Sequence, residues 1–201
     1  MMNTDNQSKV AGILLAAGAG SRFGGGKLLH PLQGAAIGVH AARHMQAAGL
    51  WVTAVVRPGS DELVRLLQNE GVAVTVCATA ADGMGVSLAH GIAQTSLREN
   101  EAAGWVVALA DMPRIRPATI RQIADAVRAG ALIVAPTYQG ERGHPVGFSV
   151  ALRDELLACR GDEGARAVLK RHHTEIQLIA VDDPGVIFDI DRKEDLPASP
   201  L

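Results

Sequence analysis

Small residues and two cations crowd into one short stretch, Leu14-Leu15-Ala16-Ala17-Gly18-Ala19-Gly20-Ser21-Arg22-Phe23-Gly24-Gly25-Gly26-Lys27. Glycine and alanine let a backbone approach a ligand closely and aim several N–H groups at one point, a concavity suited to phosphate. Arg22 and Lys27 add positive charge, and a guanidinium fork matches two phosphate oxygens at once. The combination points to a triphosphate. Two other phosphate-binding spacings fail. A dinucleotide GxGxxG would place its third glycine where Phe23 stands, and a Walker GxxxxGK[ST] would need glycine at Ser21 and a hydroxyl at Leu28. A tight turn carrying two solvated cations would share this composition, so partner groups must be sought elsewhere.

Asp111 directly follows the apolar run Trp105–Ala110 and precedes Met112-Pro113, which places its carboxylate at the carboxyl end of a strand. A hard cation such as Mg²⁺ takes oxygen ligands and keeps several waters, so one or two carboxylates suffice to hold it. Asp189 and Asp191 alternate in Phe188-Asp189-Ile190-Asp191 and would share one face of a strand, either supplying a second ligand. Asp191 could equally cap a short helix ending in Glu194-Asp195.

These groups need a scaffold, and the hydrophobic pattern supplies one. Strands are expected at Gly12–Ala16, Trp51–Val56, Val72–Cys77, Trp105–Ala110, Leu132–Ala135, Val146–Ser149, Ile176–Val181 and Val186–Ile190. Several are continuous apolar runs, as strands covered on both faces read. Helices are expected at Ile37–Ala48, Asp61–Asn69 behind an N-cap Ser60, Val86–Leu97, Ala118–Ala129, Ala151–Ala158 and Ala165–His172. Pro117 and Gly130 bracket the fourth. The alternation predicts an α/β fold, a three-layer α/β/α sandwich around a mostly parallel sheet, with ligands beyond the carboxyl ends of the strands. The turns after Ala16, Cys77, Ala110 and Ala135 and the return near Asp189 are where function is expected. Residues 1–9 read as a polar, disordered tail and 10–201 as one domain, which shows no internal repeat and no linker long enough to separate two domains.

Composition narrows the function. Lys+Arg total 19 against Asp+Glu 21, and aromatics are 3%, so the basic surface and stacking platforms of a nucleic-acid binder are missing. Val10–Gly20 is too short to span a bilayer and lacks a basic leader, giving the expectation of a cytoplasmic protein with no membrane partner. Cys77 and Cys159 form neither a disulfide framework nor a zinc pair. Cys77 reads as a small core residue, and Arg160 beside Cys159 would lower that thiol's pKa. His40, His44 and His90 read as helix surface, His172-His173 as a solvated helix end.

Taken in order, Leu15-Ala16-Ala17-Gly18-x-x-x-Arg22-Phe23-Gly24-x-x-Lys27, Asp82-Gly83-Met84-Gly85-x-Ser87-Leu88, Ala110-Asp111-Met112-Pro113, Arg142-Gly143-His144-Pro145-Val146, Gly161-Asp162-x-Gly164-Ala165-Arg166 and Phe188-Asp189-Ile190-Asp191-x-x-Glu194-Asp195-Leu196 resemble one family. It is that of the nucleotidyltransferases related to molybdenum cofactor cytidylyl- and guanylyltransferases, the MobA-like NTP transferases. The resemblance runs from about Gly12 to Leu196, with Ala110 where glycine is usual and Arg192-Lys193 in place of Thr-Pro. It implies a nucleotide-diphosphosugar-transferase-like (Rossmann-like) fold.

The resemblance also implies a reaction: attack by a substrate phosphate on the α-phosphorus of a nucleoside triphosphate, expelling pyrophosphate. Leu15, Ala16, Ala17, Gly18 and Ser21 would then contact the nucleotide, and Arg22, Lys27 and Asp111 would act in catalysis. Asp111 with Asp189 or Asp191 would hold Mg²⁺, and Ala78, Gly83 and Ser87 would lie beside the base or ribose. Gly143, His144, Pro145 and Arg166 would face the second substrate, His144 and Arg166 binding its phosphate. Ala17 stands where cytidylyl-type members carry alanine and guanylyl-type members glycine, which implies CTP. The expectation is a CTP:molybdopterin cytidylyltransferase serving a client molybdoenzyme. GTP or another phosphorylated acceptor is the nearest alternative. A non-catalytic molybdopterin carrier would not need Arg22, Lys27 and Asp111, and a dinucleotide oxidoreductase is disfavoured by the misplaced glycine.

Overall fold

The computed structural model describes residues 9–98 and 102–196. Its strands are β1 (Lys9–Ala16), β2 (Pro31–Leu32), β3 (Ala35–Ala36), β4 (Trp51–Val56), β5 (Ala73–Val76), β6 (Ala102–Leu109), β7 (Ile133–Tyr138), β8 (Glu141–Arg142), β9 (Val146–Ser149) and β10 (Ile176–Ala180). The helices are α1 (Ile37–Ala47), α2 (Asp61–Asn69), α3 (Met84–Arg98), α4 (Pro117–Arg128), α5 (Arg153–Leu157) and α6 (Arg166–Arg171).

β1 is buried along almost its whole length and lies in the middle of the sheet, parallel to β4 on one side and β6 on the other. Among the described residues the main sheet has eight strands in the order β10-β7-β9-β6-β1-β4-β5, with β8 paired to β7. β9 is antiparallel to both β6 and β7, and the remaining long pairings are parallel. Alternation along β1 builds two cores. Leu14 packs with Met45, Leu67, Ile120 and Ile123 of α1, α2 and α4, and Ile13 packs with Leu88, Ile92, Leu156 and Val168 of α3, α5 and α6. Two helical layers on one sheet make the expected α/β/α sandwich.

Helix boundaries follow local chemistry. α4 begins at Pro117, whose missing N–H is harmless in the first turn, and the chain leaves it through Gly130 at φ 97°. Ser60 does stand before α2, but its side chain makes no capping hydrogen bond, and acidic Asp61 and Glu62 occupy the first turn instead.

Four expectations change. Val186–Ile190 is not a strand: Pro184–Ile187 forms a 3₁₀ turn whose Asp183 side chain accepts from the Gly185 N–H. Buried Val186 and Ile190 mimic a strand's apolar pattern, but the backbone N–H groups bond locally instead, Val186 to Asp183 O and Phe188 to Gly185 O, both at 3.3 Å. The strand expected at Leu132–Ala135 continues to Tyr138, because β8 folds back to pair with it. The β2–β3 hairpin was not foreseen, its strands being too short to show a period. His44 is half-buried, not on the helix surface, and burial lowers its pKa. Among the described residues no helix is long and apolar enough to cross a membrane.

Candidate active site

The site opens where β1, β4, β5 and β6 end, the position physical reasoning assigns to ligands in open α/β sheets. After Ala16 the chain turns through Gly20, Gly24, Gly25 and Gly26, all at positive φ (60°, 90°, 92° and 64°), a path that side chains with a Cβ rarely follow. Two short 3₁₀ turns, Ser21–Phe23 and Lys27–Leu29, are strung on these glycines. Phe23 is buried and packs with Leu32, Ile37 and Ile190, which anchors the loop against the segment carrying Asp189 and Asp191.

That anchoring brings distant charges together. The Lys27 ammonium, its side chain 10% exposed, donates to Asp111 at 2.8 Å and to Asp191 at 3.3 Å. Arg22 donates to the other oxygen of Asp191 at 2.5 Å. Burial opposes the charge on Lys27, but the hydrogen bonds and charges of Asp111 and Asp191 outweigh it and hold the ammonium above its ordinary pKa. Arg22, then Lys27, hold Asp191 below the usual carboxylate value. Asp189 moves the other way, raised by partial desolvation and then by the negative charges of Asp111 and Asp191.

Asp111, Asp189 and Asp191 each present an atom, all within 4.8 Å of one another. This suits a hard divalent cation, which takes oxygen ligands at short range. The alternative of Asp191 as a helix cap does not hold. Asp195 accepts from the Asp191 and Arg192 N–H groups at 2.9 and 2.6 Å, freeing the Asp191 carboxylate for Arg22 and Lys27.

A cavity of about 750 Å³ lies against this cluster, lined by Leu15, Ala17, Gly18, Lys27 and Asp111 on one side and by Ala78, Gly83 and Ser87 on the other. Ser87 is 2% exposed, and its Oγ lacks a hydrogen-bond partner. A second cavity of about 380 Å³ shares Gly18 and Lys27 and includes Ala16. Ser21 and Arg22 are exposed, and line neither.

The wall opposite the loop depends on close backbone contact. Gly85 N–H donates to Gly161 O at 2.7 Å, docking the Gly161–Gly164 turn on the start of α3. A Cβ on Gly83, at φ 118°, would lie 2.3 Å from the Gly161 carbonyl carbon, and one on Gly85 would lie 2.6 Å from Arg160 O. Asp162 thereby becomes part of the cavity lining. Sequence reasoning missed it as a nucleotide neighbour. It also missed Arg57 and Pro58, which line both cavities beyond the end of β4, although the strand-end rule applied there equally.

The residues expected at the second substrate line none of the described cavities. Gly143 and His144 sit behind the Asp189 segment: His144 N–H donates to Val186 O at 2.8 Å. The imidazole is buried, its Nδ1 is without a partner, and burial lowers its pKa against the attraction of Asp111. Pro145 follows, and Arg166 is exposed at the start of α6, lining none of the described cavities. Cys77 is buried as expected. Cys159 is shifted opposite to expectation, because burial pushes its thiol up by more than Arg160 pulls it down. His172 is not a solvated end but bridges Glu155 and Glu175 at 2.9 and 2.8 Å.

Residues 12–176 match the family described as MobA-like NTP transferase domain. Nicotine blue oxidoreductase of Paenarthrobacter nicotinovorans is 30% identical, covering 93% of this chain and 94% of its own. The crystal structure of Rv0371c from Mycobacterium tuberculosis H37Rv is 26% identical over 94% of this chain and 95% of its own, at a TM-score of 0.81. A structure of Rv0371c complexed with manganese is also similar, at 27% identity, 93% and 95% coverage and a TM-score of 0.77. Molybdopterin-guanine dinucleotide biosynthesis protein A from Archaeoglobus fulgidus shares the fold at 16% identity, 92% and 94% coverage and a TM-score of 0.63. With glycine loop, carboxylate cluster and sheet now accounted for, this chain belongs to the MobA-like NTP transferase family and is a nucleotidyltransferase.

Proposed function

We propose that the chain transfers CMP from CTP to molybdopterin, releasing pyrophosphate, with Mg²⁺ as its divalent ion. The observation that carries this reading is the meeting of Lys27 with Asp111 and Asp191 at the wall of the 750 Å³ cavity. Cations for phosphate oxygens and carboxylates for a metal stand side by side there. The manganese complex of Rv0371c supports a divalent ion in a related chain.

In this reading the Ala17 and Gly18 amides hold the phosphates, and Ser21 contributes from the turn. Arg22 leaves Asp191 for a triphosphate oxygen, and Lys27 neutralises charge that builds on the departing pyrophosphate. An oxygen of the acceptor phosphate forms the new bond to the α-phosphorus. The bond from that phosphorus to the bridging oxygen breaks, and pyrophosphate leaves with the electron pair. Asp111, Asp189 and Asp191 would hold the divalent ion, which supplies charge neutralisation. Ser87 offers its unpartnered hydroxyl to the base or ribose. The Ala17 methyl narrows the pocket toward a pyrimidine. A client molybdoenzyme in the cytoplasm would receive the product.

Pyrophosphate release should be measured with molybdenum-loaded molybdopterin, Mg²⁺ and each nucleoside triphosphate in turn. CTP is expected to be fastest, and Ala17→Gly should raise the GTP-to-CTP ratio. Equal or faster release with GTP would overturn the base assignment. Absence of release with every triphosphate, together with tight molybdopterin binding, would favour a carrier.

The relative named as an oxidoreductase supports a second reading, reduction with a dinucleotide cofactor. Phe23 in place of the third fingerprint glycine weighs against it. A fluorescence titration with NADH distinguishes the two: saturable micromolar binding would favour the oxidoreductase.

A further inference from the structure

Residues 111–116 and 183–191 run side by side in opposite directions. Ile190 N–H donates to Asp111 O at 2.9 Å. Gly185 lies so close that an added Cβ would be 2.4 Å from Arg114 O. Arg116 N–H donates to the Asp183 carboxylate at 2.8 Å. One end of this pairing carries Asp111, Asp189 and Asp191. The other opens into a separate cavity of about 330 Å³, lined among others by Arg114, Arg116, Ile187 and Phe188.

The charge in this cavity is one-sided. Asp183 is 2% exposed, and its oxygens are taken by the Arg116 N–H, by Thr119 Oγ1 at 2.7 Å and by the Gly185 N–H at 3.1 Å. The exposed Arg114 guanidinium lies 4.2 Å above the Phe188 ring, and no carboxylate pairs with it among the described residues. The Arg116 guanidinium donates to a carbonyl, that of Asp182, at 2.6 Å. A guanidinium over an aromatic ring leaves its far side for a second planar group and keeps its charge for an anion. Arg114 stands three positions after Asp111, so their Cα atoms are at most about 10 Å apart. A fused-ring heterocycle bearing a phosphate arm spans that order of distance.

We infer that the Arg114–Arg116–Phe188 cavity seats the planar, anionic body of the acceptor, its phosphate arm directed to the Asp111 cluster. The inference rests on the transferase reading for its ligand class. It reassigns acceptor binding from Arg166, which lines no described cavity, to Arg114, which does.

Two measurements test it on the full chain. The first is equilibrium binding of molybdopterin, followed by the fluorescence of the pterin without nucleotide. The second is the split of KM for molybdopterin and KM for CTP in pyrophosphate release. Arg114→Ala is expected to weaken molybdopterin binding and raise its KM about tenfold, leaving KM for CTP within about twofold. Arg114→Lys, which keeps the charge and loses the plane, should fall between. Arg166→Ala should match the wild type. Unchanged molybdopterin binding in Arg114→Ala, or loss in Arg166→Ala alone, would overturn the cavity while leaving the transferase reading intact. Wild-type failure to bind molybdopterin would also overturn it. Binding that is sensitive to Arg114, in a protein that releases no pyrophosphate, would support the cavity and sink the transferase reading.

Discussion

Lys27 and Asp111, separated by 84 positions in the chain, share a hydrogen bond of 2.8 Å, so the glycine loop after β1 is tied directly to the end of β6. The Lys27 side chain is only 10% exposed and its ammonium faces Asp191 as well, so its removal leaves two carboxylates without their shared cation. Lys27→Ala should therefore lower kcat for pyrophosphate release about 10²–10³-fold, the scale of losing one charge-stabilising donor. Lys27→Arg should rescue poorly, since a planar fork cannot replace a compact point charge in a confined site. Steady-state kinetics checks this, with circular dichroism to confirm folding.

Replacing the carboxylates separates metal binding from nucleotide binding. Asp111→Asn and Asp189→Asn should each weaken Mn²⁺ binding, read by electron paramagnetic resonance, by roughly tenfold or more. The pH profile adds a sign. Asp189 sits above its ordinary pKa, so its charge is lost earlier on acidification than that of an ordinary aspartate. Mn²⁺ affinity should fall as pH drops through that raised value, and Asp189→Asn should flatten that part of the profile.

Gly83→Ala and Gly85→Ala test the opposite wall. Either methyl would meet backbone of residues 160–162 at 2.8 Å or less, and no side chain can rotate away to make room. The expected result is a loss of about 1–3 kcal/mol in chemical denaturation and a higher KM for CTP, because the turn carrying Asp162 must move. A KM unchanged alongside the stability loss would detach that turn from nucleotide binding.

His172 predicts a pH-dependent stability unrelated to the active site. Hydrogen bonds to Glu175 and then Glu155 raise its pKa above the ordinary value, so the folded state binds a proton more tightly than the unfolded. This contribution is complete below the unfolded pKa of about 6.5 and disappears as pH rises through the higher folded value. Thermal midpoints should decline across that interval in the wild type and show a shallower decline in His172→Gln.

The strands at the centre of the sheet could be read from the chain because they are buried on both faces. β1 and β6 contain near-continuous apolar runs and β4 one interrupted only at Thr53, and their shortness and β-branched content separate them from buried helices. α4 was legible from Pro117 and Gly130, which act through their own backbone preferences. The return at Val186–Ile190 was not, because burial of Val186 and Ile190 comes from contacts with other segments and imitates a strand. Cys159 failed for a related reason: adjacency to Arg160 is visible in the chain, whereas burial, which dominates its pKa, is not.

What the amino-acid order determined by itself was therefore the set of elements and the chemical types beside them: a glycine-rich bend with Arg22 and Lys27, a carboxylate after β6, and an aspartate pair near the end. Backbone conformation and hydrophobic periodicity are local, so they can be read locally. Only the tertiary structure decided which groups meet. It placed Lys27 between Asp111 and Asp191, brought Asp162 and Arg57 to the cavity, and left Arg166 outside it. Charge interactions fall off over a few ångströms and depend on burial, and both are set by how the layers pack, not by separation along the chain.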